Sequence, residues 1–183
     1  MQQADLYRKY FEHQCVNHPD LAHASTAGSR VFEMVSVEEA LGDFRSGAKE
    51  KGFIFRLLQY TYTVGDDGVH EVKKAMQGGF VIARYFSGRI LGTADYYEAM
   101  EDAERVIDEM IEKMLADSRA GHPLWYYSLD ARQDIIVQPV TVLGDASYTG
   151  WLCTFRWSNF FRNCLSDPAA PVWLDEGATP FEL

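Results

Sequence analysis

Long apolar runs are missing from this chain. None approaches the roughly 18 residues that a membrane span needs, and the polar start MQQADLYRKYFEHQC has no signal-peptide core. A soluble protein, cytoplasmic where it is made and without a membrane partner, is the expectation. Cysteine is scarce as well: Cys15, Cys153 and Cys164 make an odd count with no C-x-x-C pair, which leaves reduced thiols rather than a disulfide framework. Positive charge is short, with 17 Lys and Arg against 27 Asp and Glu and a formal net charge of −10. Phosphate binding wants clustered cations, so direct contact with nucleic acid is not expected. Arg84, Arg89 and Lys73–Lys74 are the candidate local basic patches.

Catalytic signatures are absent too. There is no G-x-S-x-G, no cysteine with a recognisable flank and no glycine-rich phosphate loop. Gly42, Gly47 and Gly52 read as loop punctuation. Asp66-Asp67-Gly68 lacks the other ligand positions and the terminal Glu of a calcium loop, and reads as a hairpin turn. His13, Cys15, His18 and His23, with Glu12 and Asp20 beside them, offer zinc-ligand chemistry. Their spacing matches none of the usual pairings, and Pro19 interrupts it, so a polar helix end and loop is the expected reading. No catalytic residue, cofactor site or metal site is assigned.

What is present is 183 residues, 47% hydrophobic and 14% aromatic, enough for one domain with a real core. The chain is organised around Asp95–Ser118. Tyr96, Met100, Ala103, Ile107, Met110 and Met114 recur at the three- and four-residue steps of one helix face, widened by Ala99, Val106, Ile111 and Leu115. Glu101, Asp102, Arg105, Asp108, Glu109 and Glu112 take the other side. Together with Glu98 the acidic ones form a solvated face, or a contact for a basic partner. Thr93 or Asp95 can cap the start, and Gly121 and Pro123 end the run.

Around this helix, Asp5–Val16 reads as a helix and Arg30–Val35 as a strand. Ser36 with Glu39 is a capping-box pattern opening a short helix over Val37–Phe44. Gly52–Val64 is the strongest strand signal, turning at Gly65–Gly68 and returning through Val69–Phe86 as a long hairpin. Gly78-Gly79 marks a bulge or bend in the return. Asp134–Leu143 reads as a strand that Pro139 confines to an edge or a bulge, Gly144–Gly150 as a turn, and Trp151–Trp157 as the last strand. The expected fold is α+β: an antiparallel sheet of about four main strands, with the long helix and shorter helices packed on one face.

Residues 1–166 make a single domain in this reading, and 167–183 an extended C-terminal arm. Three of the six prolines, Pro168, Pro171 and Pro180, fall in that arm beside Trp173, Leu174 and Phe181. Spaced large apolar residues on an extended segment wrap their own domain or dock on a neighbour.

The long hairpin, the acidic amphipathic helix, the segment IIVQPVTVLGDASYTGW and the strand GWLCTFRW are arranged as in small tail-terminator and tail-completion proteins of bacteriophages and phage-like contractile machines. In particular, Val137–Pro139, a small polar turn and Gly150-Trp151 opening an aromatic strand resemble the closing hairpin of that family. The resemblance covers residues 30–158 and is one of pattern. It implies a non-catalytic subunit of a ring, often sixfold, that caps the tail tube and meets the head-tail connector. The implied partners are other copies of the chain, tube protein and connector protein, and the implied location is the cytoplasm during assembly and then the virion tail or phage-like particle. The expected interface residues are Trp173, Leu174 and Phe181 on the arm and Glu101, Asp108 and Glu112 on the helix. Two other classes stay open: a small cytoplasmic enzyme or ligand-binding protein with a pocket lined by Trp125, Tyr126, Tyr127, Trp151 and Trp157, and an acidic inhibitor or immunity-type module.

Overall fold

The structure is a computed structural model. It describes residues 3–22, 31–36, 39, 52–66, 72–87, 91–125, 128–129, 135–142 and 147–160. Among these, two helices and a six-stranded, mostly antiparallel sheet form a mixed α+β architecture. In chain order the elements are α1 (Gln3–Asn17), β1 (Phe32–Val35), β2 (Phe53–Leu58), β3 (Thr61–Asp66), β4 (Val72–Phe86), α2 (Ala94–Arg119), β5 (Ile135–Val142) and β6 (Ser147–Phe160). The strand order is β1-β2-β4-β6-β5, and β3 pairs with β4 beyond the end of β2.

The expected four strands are therefore six. One of the additional features is a parallel pair, β1 with β2, in register from Phe32 opposite Phe55 to Val35 opposite Leu58. The other comes from the long hairpin, whose first arm is two strands. Leu57 pairs with Phe80 and Thr61 with Gln77, so three residues, Leu58–Tyr60, stand opposite only Gly78 and Gly79. One extra residue on one strand of an antiparallel pair is a β-bulge. The bend expected at Gly78-Gly79 thus lies on the opposing strand, while β4 runs unbroken for 15 residues.

Those glycines serve another purpose. A Cβ on Gly78 would stand 2.6 Å from the Tyr7 hydroxyl and 3.1 Å from the Trp157 ring. That hydroxyl donates to the Leu58 carbonyl (3.1 Å) and accepts from the Gly79 amide (3.3 Å), so α1 fills the polar gap that the bulge opens. Gly150, expected in a turn, lies inside β6 opposite Ala83. Its Cβ would run into the Ile82 carbonyl oxygen, so glycine here permits a close approach of two backbones.

The main core lies between the sheet and both helices. α1 buries Tyr7, Tyr10, Phe11 and Cys15, a helical spacing. Phe11 meets Phe55, Phe80 and Phe155 at ring-centroid distances of 6.0, 5.4 and 5.8 Å. α2 buries Ala99, Ala103, Val106, Ile107, Met110, Met114 and Ser118 across β4 and β6. Thr93 is its N-cap, accepting from the Tyr96 amide at 3.3 Å. Gly121, at φ +77°, ends it, with amides of Gly121 and His122 returning to the carbonyls of Ser118 and Asp117.

The opposite face of the sheet is also apolar at its centre, with Ile54, Val81, Ala83 and Tyr148 buried. Arg56 stands among them and donates to the Glu39 carbonyl at 2.9 Å. Ser36 and Glu39 form the reciprocal capping box: the Ser36 amide donates to the Glu39 carboxylate (3.0 Å), and the Glu39 amide to the Ser36 hydroxyl (3.2 Å). The remainder of the short helix expected over 37–44 lies outside the described residues. Among the described residues β5 is an edge strand, one of the two placements that Pro139 allows, paired there only with β6.

Candidate interaction surfaces

The 26 residues of α2 carry nine carboxylates against three cations. Some are matched. Asp102 and Glu98 pair with Arg84 of β4, and Asp117 takes Lys113 (2.5 Å) and the Tyr10 hydroxyl (2.9 Å). Glu109 takes Arg105 (3.0 Å) and His18 (2.9 Å). Glu101, Glu104, Asp108 and Glu112 have no cation partner among the described residues, and all four are exposed. At steps of three, four and four they form one line down the outer face. Like charges four apart on a helix destabilise it by a few tenths of a kcal/mol per pair. Of the expected interface residues, Glu101, Asp108 and Glu112 lie on this line. Glu104 completes it and was legible from its spacing to Glu101 and Asp108. Trp173, Leu174 and Phe181 lie outside the described residues.

A second surface was not foreseen. β3, the first half of β4 and the end of β6 extend past the helices as a three-stranded tongue. On the helix-facing side, Tyr60 still packs on Tyr7 and Trp157, but Tyr62 and Val64 beyond it are 53% and 50% exposed. Alternation from buried Met76, opposite Tyr62, places both on the side where the core lies. The Lys74 ammonium sits 4.7 Å from the Tyr62 ring centroid. No sequence periodicity signals this surface, because the apolar alternation of β3 continues that of β2 while the helical cover stops.

Among the described residues of the histidine-rich segment, His13, Cys15 and His18 have different surroundings. Cys15 is fully buried, and burial pushes its thiol pKa up, away from the thiolate a metal needs. His13 is exposed, and His23 lies outside the described residues. His18, Asp20 and Glu109 do come together, with ligand atoms within 4.8 Å of one another. Arg105 occupies the same place: its Nη1 donates to Asp20 (2.9 Å) and Glu109 (3.0 Å), so both carboxylates already hold a cation. The group is an ion-pair network tying the segment after α1 to α2.

The aromatic residues considered as a pocket are divided. Trp125 and Trp157 are buried in the core with ring centroids 5.6 Å apart, and Trp151, half-buried, donates from its indole to the Met100 carbonyl at 3.2 Å. Tyr126 and Tyr127 lie outside the described residues. Cys153 is likewise a core thiol, pushed up to about 12 by burial, and Cys164 lies outside the described residues. Among the described residues no helix is long and apolar enough to cross a membrane. Compared with known proteins, the chain matches no family model and no curated sequence.

Proposed function

We propose that this protein is a non-catalytic structural subunit of a phage tail or phage-tail-like assembly. In this reading it forms a ring that caps the tail tube and joins it to the head-tail connector. The observation that carries the reading is the tongue, where the sheet outruns its helices and leaves Tyr62 and Val64 exposed on the core-facing side. A free-standing domain gains nothing from such a surface, whereas a subunit covers it with its neighbour. The line of carboxylates on α2 supports the same reading as a contact for basic tube or connector protein. The protein assembles in the cytoplasm and ends in the virion or phage-like particle.

That acidic line also favours a second reading, a monomeric module that pairs with a basic target. Electron microscopy of the purified full chain, with light scattering for mass, separates them. Closed rings support the first. A monomer at every concentration, forming a one-to-one complex with a basic target, supports the second and defeats the first.

A further inference from the structure

The sheet has four edge stretches among the described residues, β1, β3, β5 and the end of β6 from Arg156 to Phe160, and they are not alike. At the last, the Ser128 hydroxyl takes both the amide and the carbonyl of Ser158. β1 is four residues long. β5 carries Pro139 near its middle, which removes a donor from the rim. Short strands and prolines are the usual protections of an edge. β3 has neither: Thr61–Asp66 reads TYTVGD, is rich in β-forming residues, and carries no proline and no lysine. Its one neighbour among the described residues is β4, and residues 61–65 are all exposed. An unprotected edge is a template for another strand.

We propose that β3 is the acceptor edge for residues 172–177 of a second copy, which add to the sheet beside Thr61–Asp66. This rests on the ring reading above and says how the copies are joined. Three observations select the occupant. First, β6 ends at Phe160, opposite Lys73 at the tip of the tongue, and 23 residues of the sequence follow it. The 12 residues from Phe160 to Val172 span up to about 40 Å when extended, far enough to reach a neighbouring copy. Second, Pro171 and Pro180 bracket a proline-free window, VWLDEGAT, the one stretch beyond Pro168 long enough to match the six residues of β3 with an unbroken row of amides. Third, the window carries Asp175 and Glu176, opposite in sign to Lys73 and Lys74 of β4, which lie one strand beyond β3, while β3 itself ends in Asp66. Trp173 then lies beside Tyr62 and Val64 and covers the apolar side of the tongue.

Cross-linking between differently tagged full-length chains tests this. One chain carries Gly65→Cys and Cys164→Ser; the other carries Glu176→Cys and Cys164→Ser. A Cβ at Gly65 meets no atom within 4 Å, so that site accepts the cysteine, and Cys15 and Cys153 are buried. A short bis-maleimide should give a mixed-tag dimer, and adding Trp173→Ala to the second chain should reduce it about tenfold or more. A single chain carrying both cysteines that links only within itself would overturn the proposal, since the arm would then cover its own sheet. Absence of the mixed dimer in a sample that is oligomeric by light scattering would also overturn it, leaving the ring reading standing. Absence in a sample that is monomeric would overturn both.

Discussion

The hydroxyl of Tyr7 meets the Leu58 carbonyl and the Gly79 amide where the hairpin changes register. Burial raises the tyrosine pKa, so the group stays a neutral phenol able both to donate and to accept. Tyr7→Phe leaves those backbone groups buried without their partner and should cost about 1–3 kcal/mol in urea unfolding. Gly78→Ala should cost more, because the new methyl overlaps the hydroxyl and presses on Trp157 and Phe155. The double substitution should cost less than the sum, since Tyr7→Phe removes the nearest obstacle. Additive costs would show that the hydroxyl and the glycine act separately. The sequence signals the glycine pair but not its reason: Tyr7 lies 71 residues away, and only the folded register brings them together.

At the scale of elements, α2 was legible almost entirely, because a 3.6-residue period over 26 residues states which face is buried. Ile107→Asp buries an unpaired charge and should be severely destabilising, whereas Asp108→Lys next to it should leave stability unchanged or raise it slightly by relieving repulsion with Glu104 and Glu112. Thermal melts of the two variants check this, and equal losses would contradict the face assignment. In the proposed assembly the same Asp108→Lys should weaken incorporation, which separates a partner-contacting role from a merely solvated one. The hairpin was legible only in outline. An apolar run such as FIFRLL followed by TYTV has no internal mark for a bulge, since the extra residue is defined by the partner strand. The parallel pairing of β1 with β2 was likewise hidden, because alternation within a four-residue strand says nothing about direction.

Across the whole molecule, the surfaces that a monomer needs are distinct from those that the proposed assembly would use. Both helices bury the faces that their spacing predicts, while Val16 and Tyr97 near their ends and Ile136 on β5 stay exposed. In the tongue Tyr62 and Val64 are exposed on the core-facing side, and the line from Glu101 to Glu112 lacks cations among the described residues. Residues 167–183, expected as an arm, lie outside the described residues. Their prolines were visible in composition, but the open edge of β3 was not, because an edge strand is a property of the finished sheet. Sedimentation velocity on the full chain, beside a variant carrying Tyr62→Lys and Val64→Lys, shows whether copies assemble through the tongue. Both side chains are about half exposed, so the variant should melt within a few degrees of the original chain. A single closed oligomer is expected for the original chain and monomer for the variant. Two identical sedimentation profiles, with the fold intact in both, would contradict this.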